Sequence, residues 1–177
     1  NTLLIFVGDN GTDTPIVTNT TFGKVVGAKG QMIDAGNHVP CFVSWPGVIR
    51  KGRVVQDIID FSDILPTICE ATGTQVPADL TIDGQSFLPQ LKGETGSPRD
   101  SIYMWYSRNG AVKAARAFAR NQRYKLYESG KFFDVPNDRN EKKPLGDASL
   151  SEEQLSIKAV LQARLDRFAD IKPVNAK

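Results

Sequence analysis

The run Leu3-Leu4-Ile5-Phe6-Val7, closed by Gly8-Asp9-Asn10-Gly11, constrains this chain more than any other feature. Five consecutive apolar residues that end in a glycine-rich turn fit a strand covered on both faces. Strands of that kind sit inside α/β folds, with helices packed on the sheet. The run starts at the third residue, and the chain is therefore expected to be a piece of a longer polypeptide. No apolar stretch in the 177 residues is longer than these five residues, far too short to cross a bilayer.

The remaining elements follow from local signals. Val39 to Trp45 reads as a second strand, closed by Pro46-Gly47. A helix is expected after Asp60 or Ser62 as N-cap, with Pro66 in its first turns, Gly73 as its stop and Ile64, Leu65, Ile68 and Cys69 facing inward. Thr12 to Lys29 lacks periodicity and is expected to be a loop. So is Pro77 to Leu91, apart from a short helix near Phe87–Leu91. Beyond Pro98 the character changes. Ser101–Ser107, Ala111–Ala119, Tyr124–Glu128 and Lys131–Val135 are short strand-like runs, parted by Asn109-Gly110, Asn121-Gln122 and Ser129-Gly130, as in an antiparallel meander. A final helix opens on Ser151 and Gln154 as a capping box, and Ile157, Leu161, Leu165 and Phe168 form its apolar stripe. The expected organisation is an α/β part over 1–97, then a small antiparallel sheet with a terminal helix over 98–177.

Composition removes several classes of function. Twenty-two Lys+Arg against twenty Asp+Glu leave a net charge of +2, so no global field calls for a polyanionic partner. Two cysteines, Cys41 and Cys69, exclude a disulfide scaffold and a four-cysteine zinc site, and both fall in apolar runs that make them core residues. A single histidine, His38, excludes a multi-histidine metal cage.

Chemistry can reside in four places. Asp9 and Asn10 follow the carboxyl end of the first strand, where open α/β sheets place ligands. A carboxylate beside an amide carbonyl offers two hard oxygens suited to Ca²⁺ or Mg²⁺, although Asp-Asn-Gly is also a common turn. Lys29, next to Gly30, could reach an anionic oxygen or could be an ordinary surface lysine. His38 could donate a proton, contact an anion, or simply bond to the backbone. The stretch from Ser101 to Tyr127 has no acidic residue. Its Arg108, Lys113, Arg116, Arg120, Arg123 and Lys125 alternate with aromatics, either as a polyanion-binding face or as a sheet with aromatics inward and basic residues outward.

Taken in order, the pieces resemble the C-terminal portion of the sulfatase family, within the alkaline-phosphatase-like superfamily. The resemblance runs through Asn1-Thr2-Leu3-Leu4-Ile5-Phe6, Asp9-Asn10-Gly11, Lys29-Gly30, Val39-Pro40, Trp45-Pro46-Gly47, Asp63-Ile64-Leu65-Pro66-Thr67 and Asp83-Gly84-Gln85-Ser86-Phe87. It continues in Arg123-Tyr124-Lys125-Leu126 and Phe132-Phe133-Asp134-Val135. It implies the last part of the superfamily's mixed catalytic sheet, followed by a small antiparallel sheet and a C-terminal helix. It further implies that Asp9 and Asn10 bind Ca²⁺, that Asn10 and Lys29 contact the sulfate, and that a formylglycine made from Cys/Ser-x-Pro-x-Arg attacks it.

That motif does not occur in these 177 residues. The chain alone is accordingly expected to hydrolyse no sulfate ester and to bind Ca²⁺ weakly. Where the family commonly carries Glu-Gly-Gly and then Arg, this sequence reads Asp34-Ala35-Gly36-Asn37-His38, which leaves His38 a candidate substrate contact on its own chemistry alone. The resemblance implies a sulfated small molecule or sulfated sugar as substrate, neither membrane nor nucleic acid as partner, and export to the periplasm or the exterior as the family's habit. Phosphate-ester hydrolysis within the superfamily and a non-catalytic polyanion-binding module are the alternatives.

Overall fold

The apolar run forms a strand, and the residues around Val39 form its neighbour. A computed structural model describes residues 1–21, 23–107 and 115–171 of the chain. In it β1 (Leu4–Val7) pairs with β4 (Cys41–Ser44) in a two-stranded sheet. The expected burial of β1 on both faces is not what the strand shows. Leu4 and Phe6 are 62% and 61% exposed, while Ile5 and Val7 are half-buried. Among the described residues β1 pairs with β4 alone, and Leu4, Phe6 and Phe42 lie on the face left uncovered, the Phe6 and Phe42 ring centroids 6.2 Å apart. Trp45 Nε1 donates to Asn1 Oδ1 at 2.7 Å and ties down the first residue.

By contacts the chain divides into two units interleaved in sequence, Asn1–Phe6 with Phe42–Ile102, and Val7–Cys41 with the chain from Tyr103 on. The sequence reading instead divides the chain once, at 97/98.

The first unit is organised by buried polar groups. Asp60 caps a 3-10 turn (Phe61–Asp63) that runs into α2 (Ile64–Thr72), and Gly73 ends α2 at φ +70°. Both ends match the sequence signals. The buried face does not. Leu65 and Ile68 are exposed, and the residues that α2 and its preceding turn bury are Thr67 and Asp63. Thr67 Oγ1 donates to the Asp63 carbonyl at 2.7 Å and accepts the Phe87 N–H at 3.1 Å. The Asp63 carboxylate accepts the Gln85 N–H at 2.8 Å, the Asp60 N–H at 2.8 Å and a fork from Arg99. A loop packed on a helix brings backbone donors that need acceptors, so polar residues hold this contact where apolar ones were expected. Gly84 has to be glycine, since a Cβ there would lie 1.9 Å from the Ser62 carbonyl oxygen. The short α3 (Leu88–Lys92) follows where the sequence reading puts it.

The second unit contains two sheets. Thr12–Lys29, expected to be a loop, carries a hairpin of β2 (Val17–Thr20) and β3 (Gly23–Val26), with Val17 opposite Val26 and Thr20 opposite Gly23. Both strands are almost wholly exposed, so no apolar alternation marks them; their only signal is β-branched Val and Thr.

The meander is present as β5 (Ile102–Tyr106), β6 (Arg116–Arg120), β7 (Tyr124–Tyr127) and β8 (Phe132–Asp134), in that order in one sheet. β6–β7 and β7–β8 are antiparallel, with Ala119 opposite Leu126 and Leu126 opposite Phe132. The Asn109-Gly110 turn, Arg108 and Lys113 lie outside the described residues. α4 (Glu152–Arg167) starts on the expected box: Ser151 N–H donates to Gln154 Oε1 at 2.9 Å, and Gln154 N–H to Ser151 Oγ at 3.2 Å. Leu161 and Leu165 pack on Ala117, Ala119, Tyr124, Leu126 and Phe132, and the Phe168 ring stacks on Tyr103 at 4.5 Å. Among the described residues no helix is long and apolar enough to cross a membrane.

β6, β7 and β8 are buried on both faces, which overturns the inward-aromatic, outward-basic alternation. Tyr124 and Leu126 face α4. Lys125, between them, faces the other way and is fully buried, because the segment Met32–Asp34 and Glu141 cover that side. Lys125 and Arg120 therefore cannot serve the polyanion-binding face considered above.

Candidate active site

Asp9 and Asn10 sit in the bend that follows β1, and backbone bonds lace this bend to three later segments. Gly8 N–H donates to the Pro40 carbonyl at 3.1 Å, and Gly11 N–H to the Gly36 carbonyl at 2.9 Å. Lys29 N–H donates to the Thr12 carbonyl at 3.0 Å. Gly11 and Gly36 make this lacing possible. A Cβ on Gly11 would lie 2.0 Å from the Ala35 carbonyl oxygen, and one on Gly36 would lie 2.2 Å from that of Gln31. Only backbone without side chains approaches this closely.

The lacing brings Asp9, Asn10, Lys29 and the His38 segment onto one backbone frame. Their side chains remain open. Asp9 and Lys29 are exposed and Asn10 is half-buried. Among the described residues, the Asp9 carboxylate, the Asn10 amide and the Lys29 ammonium make no hydrogen bond or ion pair. Two oxygen donors bearing one negative charge, free of internal partners, fit part of a Ca²⁺ shell; the ion prefers six to eight oxygens. No group of three or more His, Cys, Asp or Glu stands close enough to hold a metal among the described residues.

His38 ends α1 (Asp34–Asn37). Its ring is 71% exposed, with Nδ1 3.4 Å from Asp34 Oδ2. Asp34 is tied far more firmly to the sheet below. Arg120 Nη1 donates to Asp34 Oδ1 at 2.6 Å, and Lys125 Nζ lies 3.6 Å from the same oxygen. Burial alone would raise the Asp34 carboxyl. The His38 hydrogen bond and the charges of Arg120 and Lys125 outweigh that burial and lower it to about 2. Lys125 Nζ also donates to Glu141 Oε1 at 2.5 Å and to the Met32 carbonyl at 2.9 Å, and it lies 4.4 Å from the centre of the Phe118 ring. Burial pushes the Lys125 ammonium down, against Glu141 and Asp34, which hold it up. Glu141 also accepts the Tyr127 hydroxyl; burial first, and then that bond, raise the Tyr127 phenol.

Sequence reasoning missed this charged layer. A lone lysine inside Tyr124-Lys125-Leu126-Tyr127 is the signal that was available, since a lysine in an aromatic strand covered on both sides must find a buried anion. Cys41 and Cys69, expected in the core, are both only half-buried, and burial pushes the Cys41 thiol up.

Comparison with known proteins agrees with this architecture. The family described as N-sulphoglucosamine sulphohydrolase, C-terminal, matches residues 27–170. Human arylsulfatase A is 32% identical over 127 residues, which is 71% of this chain and 24% of that protein. A structure described as BT4656 in complex with its substrate D-glucosamine-2-N,6-O-disulfate shares the fold, with a TM-score of 0.69 at 20% identity over 99% of this chain and 36% of that one. The phosphonate monoester hydrolase of Agrobacterium radiobacter shares it too, with a TM-score of 0.61 at 22% identity over 82% of this chain and 32% of that one. The fold is thus common to enzymes of different ester chemistry and does not by itself choose between them. The chain spans about a quarter or less of the length of the first curated relatives it matches. With residues 27–170 matched and the meander and terminal helix in place, the chain belongs to the N-sulphoglucosamine sulphohydrolase C-terminal family and is a C-terminal portion of a sulfatase.

Proposed function

We propose that the protein of which this chain is part hydrolyses sulfate esters, with Asp9, Asn10 and Lys29 in its active site and its formylglycine nucleophile on sequence outside these residues. What supports the reading is the backbone frame, in which Lys29 N–H donates to the Thr12 carbonyl two residues past Asn10, with the Asp9, Asn10 and Lys29 side chains making no hydrogen bond or ion pair among the described residues. Asp9 and Asn10 would hold Ca²⁺ through hard oxygens, and the ion, when bound, draws charge from the sulfate oxygens. Lys29 supplies a fixed positive charge to the same oxygens as the bond to the leaving alcohol breaks. The Asn10 amide can donate to a sulfate oxygen, and His38, whose ring is exposed, is assigned as a further contact for an anionic substrate. A sulfated sugar or other sulfated small molecule is the substrate class.

Two of the six to eight oxygens preferred by calcium, and no nucleophile, leave the 177-residue chain alone inactive and weak in calcium binding. The test uses the intact protein with an aryl sulfate, in calcium and in chelator, beside the Asp9→Ala variant and the isolated chain. Calcium-dependent turnover is expected, with at least tenfold more calcium required by Asp9→Ala and no turnover by the chain alone. Turnover by the isolated chain, or unaltered calcium dependence in Asp9→Ala, contradicts the proposal.

A further inference from the structure

The charged layer under α1 raises a question of energetics. Lys125, Glu141, Asp34 and Arg120 form a largely buried cluster, and Lys125 is wholly buried. Burying such charges is a poor way to stabilise a fold, since apolar residues of similar volume often serve as well or better. Glu141 also adopts φ +52°, a left-handed backbone that a non-glycine residue keeps only where its surroundings enforce it. Here the Lys125 and Tyr127 bonds enforce it.

What the cluster fixes is α1. Four residues are too few to form a stable helix unaided. The Met32 carbonyl just before it accepts both Lys125 Nζ and Asn37 Nδ2, the latter at 2.6 Å. The first residue of α1, Asp34, accepts Arg120 through its carboxylate and the His38 N–H through its carbonyl at 2.8 Å. The third, Gly36, accepts the Gly11 N–H from the Asp9-Asn10 bend. The route from sheet to site is therefore continuous: β6 and β7, then α1, then the bend and His38.

We propose that Lys125 and Arg120 are positioning residues, which hold α1 in the one placement that keeps the Asp9-Asn10 bend and His38 in register. The proposal rests on the functional reading above for what the bend binds, but not for the fixing of the bend itself. Lys125→Met preserves bulk and removes the bonds to Met32 and Glu141. Arg120→Lys keeps the charge and loses the guanidinium fork to Asp34 and the nearby loop carbonyls.

The test measures amide exchange and turnover in the intact protein. In Lys125→Met, exchange in peptides covering 8–13 and 33–40 is expected to rise at least tenfold, while peptides from β6, β7 and α4 stay within twofold. The kcat for an aryl sulfate falls at least tenfold, and Arg120→Lys lies between the two. Exchange that rises evenly across the sheet, or stays unchanged in 8–13 in a folded variant, overturns the proposal. Should Lys125→Met fail to fold, the same peptides in Arg120→Lys decide it: a local rise supports the positioning role, and no rise overturns it. If the intact protein turns over no sulfate ester, the functional reading fails, while the exchange pattern still decides whether Lys125 and Arg120 position the bend.

Discussion

Gly11→Ala tests the frame without reference to any reaction. A Cβ on Gly11 would sit 2.0 Å from the Ala35 carbonyl oxygen and 2.8 Å from the Gly36 Cα, both backbone. Ordinary contact needs more than 3 Å, so the bend and α1 must part by over 1 Å. The Gly11–Gly36 bond of 2.9 Å does not survive that shift. Overpacking against fixed backbone costs about 1–3 kcal/mol, and the lost bond about 1 kcal/mol more. The expected loss is about 2–4 kcal/mol in urea unfolding of the chain followed by circular dichroism. Gly52→Ala serves as control: its Cβ would meet nothing within 4 Å, and only its φ of +76° opposes the change, at about 1 kcal/mol. Equal losses at the two positions, or a loss under about 0.5 kcal/mol at Gly11, would refute the close-approach argument.

Other expectations follow from the same structure. The Asp34 carboxyl is lowered from 3.8 to about 2, so its contribution is fully present above pH 4 and is lost as pH falls to 2. That contribution is about 2 kcal/mol, and Asp34→Asn should flatten the acid limb of the stability–pH curve by a similar amount. Leu161→Ala, at a fully buried position over the meander, should cost about 2–5 kcal/mol in the same urea measurement. Ser151→Ala removes the α4 capping box for about 1 kcal/mol. Asp63→Ala leaves the Arg99 guanidinium buried without its anion, and a loss of about 3–5 kcal/mol is expected.

The sequence was most informative where a signal is local. The Ser151–Gln154 box, the Gly73 stop and the Asn121-Gln122 turn each involve a few neighbouring residues, and each is present in the structure. The β2–β3 hairpin escaped notice because neither of its faces is buried, so binary patterning has nothing to report. The face of α2 was misassigned because Asp63 and Thr67 meet backbone donors from Gln85 and Phe87, some twenty residues on. Arg120 and Lys125 were read as outward because their covering partners lie 86 and 93 residues earlier, at Asp34 and Met32. For the site, the residue types at Asp9, Asn10 and Lys29 were readable, whereas the charged layer beneath α1 left only one trace in the sequence, the lone Lys125 among aromatics.

The most direct test of the account is the rate of ester hydrolysis by the intact protein and its Lys29→Ala variant, with one aryl group presented as sulfate and as phosphate. The account predicts that sulfate is the preferred ester and that Lys29→Ala lowers kcat/KM for it by about 10²-fold, as loss of one stabilising charge at a reacting anion does. A preference for phosphate, or a Lys29→Ala variant as fast as the parent, would contradict it.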